Sequence, residues 1–383
     1  MKKVSRTDIR YGEPLLFPIY DTNGRLLLRK GYVITTPGHI EQLITRGVFI
    51  DKNSGGSADA SPPPALQVSE EPVYDQMDGL VLNLKHILTT ALKSPDQIDL
   101  PARIKSIASN IQRLCQEDLD SALAAPYLDI SNPYIVVHQV MGAILTEIMA
   151  GRKGLGVSER LTLVCAALTR DIGQLAIQSE LDMCAGPLPL ALSQAQMRHP
   201  TRGTDILTRA DVADGTWLNA VRQHHERLDG SGYPLKLRGD EVCLGARMLA
   251  IADTYSAMTK PRSYRSKAFH PQNALRDIYL KKDTHMDGEL IQVLIKEIGI
   301  MPPGSIVRLK NGEIAVVKNR TIKTSGDSVF SVYDKKGVPL LAPIRRETQS
   351  PDFEIIGMVA FAECHSAAAT IKRLWGTNYL NII

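Results

Sequence analysis

Four histidines and two aspartates are the residues of this sequence best suited to chemistry: His138, His199, His224 and His225, with Asp171 and Asp253. Imidazole nitrogens and carboxylate oxygens are the donor set of zinc, manganese and iron centres. A carboxylate can bridge two ions about 3.5–4 Å apart, and such a pair clamps the attacking and leaving oxygens of an in-line displacement at phosphorus. The six positions span 116 residues, so only a fold could gather them. Taken singly, each has a plainer role. His138 shares an apolar face with Met141 and Leu145 and reads as a core histidine. His199, followed by Pro200, reads as a helix-end residue. Asp171 and Asp253 sit amid apolar sequence, where a buried carboxylate needs a partner, and read as members of structural ion pairs.

The segment His224-His225-Glu226-Arg227-Leu228-Asp229-Gly230-Ser231-Gly232-Tyr233-Pro234 moves the balance. Two adjacent histidines end a predicted helix just before a glycine-rich turn, where side chains about 100° apart converge on one ion most easily. Gly230 and Gly232 permit unusual backbone angles and Pro234 fixes one. This stretch is a complete HHExxDGxGYP signature. With it the sequence resembles the HD-GYP family, metal-dependent phosphodiesterases of the HD superfamily that act on cyclic di-GMP in bacteria. The resemblance runs over roughly 130–300, through Leu249-Ala250-Ile251-Ala252-Asp253 and Arg262-Ser263-Tyr264-Arg265. Pro302-Pro303-Gly304 begins what looks like the family's C-terminal extension, and residues 1–52 are similar to a small domain that often precedes it.

The resemblance implies one metal held by His199, His224 and His225 with Asp171 bridging, and a second by His138, Asp171 and Asp253. It gives Arg262 and Arg265 the substrate phosphates, which suit the guanidinium fork. Tyr233, Gly232 and their loop would border the substrate pocket. The departures weigh as much. Where the family has His-Asp-Ile-Gly-Lys, this chain reads Arg170-Asp171-Ile172-Gly173-Gln174. Arginine stays protonated and has no lone pair for a metal. Gln174 keeps length and donors but loses the lysine's charge. Trinuclear members carry Glu where Tyr134 stands, and the loop before His199 reads Cys184-Ala185-Gly186-Pro187, without the family's lysine. Arg170 has two readings: a replacement left by drift, or a guanidinium occupying the vacated metal position and neutralising Asp171 and Asp253. The second predicts a single divalent ion (Fe, Mn or Zn) rather than two or three; a metal-free site is the alternative. His39, His86, His270, His285 and His365 have no ligand-like neighbours and read as surface residues.

These residues need a helical scaffold. Met77, Leu80, Leu84, Ile87 and Ala91 keep a 3.6-residue period, as do Ile104, Ile107, Ile111 and Leu114. Further helices are predicted at 134–150, 158–173, 193–209, 215–227, 244–259 and 271–281. Residues 73–300 thus form an all-α domain. Before it lie a small α+β domain (1–52), with a hairpin turning at Asp21-Thr22-Asn23-Gly24, a helix over Ile40, Leu43 and Ile44 closed by Gly47, and a last strand at 48–50. Residues 53–72, rich in Gly and Ser with three consecutive prolines, read as a flexible linker. After 301, hairpin turns at Lys310-Asn311-Gly312 and Asp334-Lys335-Lys336-Gly337 predict a short antiparallel β extension to the C-terminus.

Composition bounds the rest. With 383 residues, 44% of them apolar, the chain has room for about two or three folding units and a substantial core. Five scattered cysteines without a CxxC pair argue against a disulfide scaffold or cysteine-based zinc, and fit a reducing cytoplasm. No stretch reads as a signal peptide or membrane span. The net charge of +4 excludes a generic nucleic-acid coat, and all of it lies between Arg222 and Lys267, with nine Lys/Arg against five Asp/Glu. Such a local excess favours a small phosphate ligand over a duplex. Three functions are therefore carried. The first is a catalytically impaired HD-GYP protein that binds cyclic di-GMP, or a protein partner through residues 230–234. The second is an active phosphodiesterase. The third is a purely structural interaction protein, against which the Arg262/Arg265 pair argues.

Overall fold

The structure, a computed structural model, describes residues 2–3, 17, 19–20, 26–28, 49–50, 71–184, 186–260, 269–320 and 328–376. The chain divides into two compact units, Met1–Ser69 and Glu70–Ile383. In the first, β1 (Lys2–Lys3), β2 (Ile19–Tyr20), β3 (Leu26–Leu28) and β4 (Phe49–Ile50) form an antiparallel sheet in the order β1-β4-β2-β3. The predicted hairpin pairs Tyr20 with Leu26 and Ile19 with Leu28. The helix predicted near Ile40 and residues 53–70 of the predicted linker lie outside the described residues.

The second unit is helical: α1 (Val73–Lys93), α2 (Leu100–Glu117), α3 (Leu119–Leu128), α4 (Tyr134–Arg152), α5 (Val157–Thr169), α6 (Gln178–Met183), α7 (Leu190–Met197), α8 (His199–Arg209), α9 (Gly215–Gln223), α10 (Leu244–Thr259), α11 (Pro271–Tyr279) and α12 (Gly288–Ile298). A 3₁₀ helix spans Ile172–Ile177. The starts of α2, α9 and α12 are fixed by Asp99, Asp214 and Asp287, whose carboxylates accept orphan N–H groups of the first turn. The central element is α4, packed by α5 and α10. It is the one described helix long and apolar enough to cross a membrane, and 89% of its apolar window is buried inside the unit.

Three predicted helices end differently from the sequence expectation. The stretch 158–173 stops at Thr169 and resumes as the 3₁₀ helix; 193–209 is split into α7 and α8; 215–227 ends at Gln223. The split has a clear cause. Pro200 lacks an N–H and restricts the residue before it, so a helix can begin at His199-Pro200 but not run through it. Helices α3, α6 and α12 and strand β1 were not anticipated, nor were a strand over Ile355–Met358 and a short helix over Ala368–Lys372.

The C-terminal sheet contains β5 (Ile306–Leu309), β6 (Ile314–Val317), β7 (Ser328–Tyr333), β8 (Pro339–Glu347) and β9 (Ile355–Met358), antiparallel throughout, in the order β8-β7-β6-β5-β9. A short helix, α13 (Ala368–Lys372), follows. Ile306, Ile314, Val316 and Val332 of the sheet join the same buried cluster as Leu128, Val140 and Leu249 of the helices.

Candidate metal centre and its loop

Five elements bring the site together. His138 comes from α4, Arg170 and Asp171 from the break after α5, His199 from the first position of α8, His224 and His225 from just past α9, and Asp253 from α10. Two groups result: His199, His224 and His225, and His138, Asp171 and Asp253, the ligand atoms of each lying within 4.8 Å of one another.

The first group presents lone pairs to one point. His199 Nδ1 lies 2.6 Å from Gln196 O and His224 Nδ1 lies 2.6 Å from Val221 O, so each donates its N–H backwards to a carbonyl. Their Nε2 atoms then carry lone pairs, yet they face each other at 3.1 Å, and His199 Nε2 is 3.5 Å from Asp171 Oδ1. Protonation of His224 does not relieve this arrangement at neutral pH. Burial and the neighbouring His199 pull the pKa of His224 down to about 4, and burial with His224 puts His225 well below its ordinary value. Asp171 Oδ2 is buried without a hydrogen-bond partner. Converging acceptors with their other ring nitrogens tied to carbonyls are the donor arrangement of a transition-metal site. A nitrogen pair on one ion at about 2.0–2.1 Å sits about 3.3 Å apart, close to what is seen. The residues fit a divalent ion here.

The second group has its charge already answered. Arg170, wholly buried, donates Nε to Asp253 Oδ1 at 3.0 Å, with Asp171 Oδ2 at 3.4 Å. Its Nη1 donates to Ala167 O at 2.8 Å and its Nη2 to His138 O at 3.0 Å. His138 Nε2 lies 2.9 Å from the same Asp253 oxygen, while Ser256 Oγ lies 2.9 Å from His138 Nδ1. With Nε2–H donated to the carboxylate, neutral His138 keeps Nδ1 as an acceptor facing the Ser256 hydroxyl, which also reaches Ala252 O at 2.7 Å. Burial and Arg170 both hold its pKa down. Burial opposes the charge on the two aspartates, but Arg170 and the histidines outweigh it: Asp171 titrates below the usual range and Asp253 well below it. Gln174, also buried, donates its amide to Gln178 Oε1 at 3.0 Å. The Tyr134 ring stacks on His138, centroids 5.0 Å apart.

The glycine-rich loop is held by a residue that sequence reasoning passed over. Buried Glu226 accepts from three consecutive backbone N–H groups, Leu235 (2.5 Å) and Lys236 (3.2 Å) on Oε1 and Leu237 (3.1 Å) on Oε2. Gly232 lies so close to the backbone of Glu226 and Arg227 that no Cβ fits, and Tyr233 N donates to His225 O at 3.2 Å. The loop thereby lays the Tyr233 ring against His225, centroids 4.8 Å apart. His285, read as an isolated surface residue, instead braces this loop. Its Nε2 is 3.4 Å from Asp229 Oδ2 and its carbonyl accepts from Leu228 N at 3.2 Å. Sequence gave no sign of it, because the contact closes 56 residues of chain between positions 229 and 285. Ser256 did carry a signal, lying one helical turn after Asp253 on α10. Arg262 and Arg265 lie outside the described residues.

Comparison with known proteins agrees with this geometry. Residues 122–290 match the HD domain family. A cyclic di-GMP phosphodiesterase of Pseudomonas aeruginosa is 30% identical over 226 residues, covering 57% of this chain and 54% of that protein. One from Borreliella burgdorferi is 26% identical over 49% of each. Over these residues the chain resembles the HD-GYP proteins. A third relative, a 3′3′-cGAMP-specific phosphodiesterase of Vibrio cholerae, is 30% identical over 46% of this chain and 38% of its own length. The chain thus spans about half or less of the curated relatives it matches. The solved structure of an HDG"Y"P protein from Bdellovibrio bacteriovorus aligns with a TM-score of 0.51 at 16% identity, over 76% of this chain and 97% of that one, and shows the shared fold.

Proposed function

We propose that this chain is a cyclic-dinucleotide signalling module that binds its ligand over a single divalent ion and hydrolyses it weakly or not at all. The observation that carries the reading is the Arg170 guanidinium, wholly buried, donating to Asp253 and ion-paired with Asp171. His199, His224, His225 and Asp171 would hold the ion. A bound iron, manganese or zinc supplies Lewis-acid polarisation of a phosphate oxygen. The chain's own residues do the rest. Arg262 and Arg265, by family resemblance, grip phosphates, and Tyr233 borders the ligand from its place on His225. Gln174, engaged with Gln178, brings no charge to a leaving group. Losing a metal ligand and a lysine removes about a hundredfold or more of rate each. Five free cysteines are in keeping with a reducing cytoplasm.

An active phosphodiesterase is the second reading, favoured by the names of the relatives. Elemental analysis, calorimetric titration with cyclic di-GMP and 3′3′-cGAMP, and product analysis with added Mn²⁺ or Fe²⁺ separate the two. One ion per chain and binding without products supports the first. Turnover abolished by His225→Ala would establish the second. Neither binding nor turnover would leave a structural interaction protein.

A further inference from the structure

We propose that Gly142 and Arg170 form a matched pair, a glycine seat and a tethered cation, that closes the second metal position and keeps that half of the site assembled without an ion. Gly142 lies in the middle of α4, a helix otherwise rich in Val, Ile, Leu, Met and Ala, where glycine is a poor choice on helix propensity alone. Packing supplies the reason. A Cβ at 142 would stand 2.5 Å from Arg170 Nη1, 2.9 Å from Cζ and 3.1 Å from Nη2. The guanidinium lies flat against the bare turn of α4, and from there its Nη2 reaches His138 O. Its Nη1 turns back to Ala167 O, and its Nε points between the two aspartates.

All three nitrogens thus have acceptors, and the plane has a cleared face to lie on. A residue left by drift in a dead site would not meet both conditions, because a buried arginine lacking either is expelled or destabilising. The chain that carries arginine at 170, where the resembled family has a ligand, therefore also carries at 142 the glycine that seats it. Arg170 is a positioning residue: it touches no substrate, and it fixes the Asp253–His138 arm through the oxygen the two donors share.

The metal consequence of this pair rests on the one-ion reading above; its packing consequence does not. The test is a thermal cycle over Gly142→Ala and Arg170→His, with elemental analysis of each variant. Alone, Gly142→Ala should lower the unfolding midpoint, since the guanidinium must leave its seat. Combined with Arg170→His, whose ring is too short to lie on the seat, it should raise the midpoint by about 2–4 °C, the helix gain of alanine over glycine. The same shift in both backgrounds would overturn the pair. If Arg170→His does not fold, the same reversal is expected with Arg170→Gln. Arg170→His should also raise bound Mn²⁺ from one to two per chain and make its midpoint fall more on chelation than that of the unaltered protein. Two ions in the unaltered protein would refute the one-ion reading while leaving the reversal of sign to decide the pair.

Discussion

At the scale of single residues, the buried histidines are held in their ligand form by what stands behind them. His224 donates to Val221 O, and its pKa falls from the ordinary 6.5 to about 4. The unfolded chain takes up this proton near pH 6.5, the folded chain only near 4. The folded state is therefore fully stable with respect to this group above pH 6.5 and loses about 3 kcal/mol as pH falls to 4. Thermal midpoints measured in chelator from pH 7 to 4 should decline across that window, and the decline should flatten in His224→Gln. A second residue-scale expectation concerns Glu226. Replacing it by Gln sets an amide N–H₂ against N–H donors of the loop and should cost about 2–4 kcal/mol in urea unfolding, with weaker dinucleotide binding as Tyr233 loosens. The residue types at the candidate metal site were legible because only a few side chains ligate metals and the HHExxDGxGYP spacing is specific. The roles of Glu226 and Gly142 were not. That of Gly142 depends on a guanidinium arriving from another helix, and that of Glu226 on how the loop turns to bring the N–H groups of Leu235, Lys236 and Leu237 back onto it; a spacing pattern carries no such information.

At the scale of elements, the site depends on where helices stop. Periodicity located most helices between 73 and 300 because their buried faces repeat at 3.6 residues, but it ran two of them past their ends and a third through a break. The break after Thr169 places Asp171 under α8, and the break before His199 aims that residue's Nε2 at Asp171 Oδ1. Pro200 advertised the second break. The first is written in packing: Gly173 passes so close to His199 O and Gly203 N that a Cβ there would overlap both. Gly173→Ala should push the 3₁₀ helix off α8, lower stability by about 1–3 kcal/mol, and separate Asp171 from His199. Elemental analysis should find well under one ion per chain. A full complement of metal in a folded Gly173→Ala protein would show that Asp171 is not needed to hold it.

At the scale of the whole molecule, the β extension was legible from its turns, but its dependence on the helices was not. Strand patterns say that a face is apolar without saying what covers it. Here Ile306, Ile314, Val316 and Val332 are buried in the helical core, Arg320 pairs with Asp120 of α3, and Trp375 after α13 stacks on Tyr74 of α1 at 6.0 Å. Each such apolar side chain contributes about 1.5–3 kcal/mol, so the four strand residues together are worth about 6–12 kcal/mol. That is comparable with the entire stability of an ordinary domain, about 5–15 kcal/mol. Residues 70–300 alone should therefore fail to fold cooperatively, even though they hold every proposed metal ligand. Residues 70–383 should fold without the first unit, retain one ion per chain and bind dinucleotide as tightly as the full chain. Circular dichroism melts of both fragments beside the intact protein decide this. A cooperative, metal-loaded 70–300 fragment would mean that the sheet is an accessory to the helical domain, and a 70–383 fragment that binds metal but not dinucleotide would give residues 1–69 a part in holding the ligand.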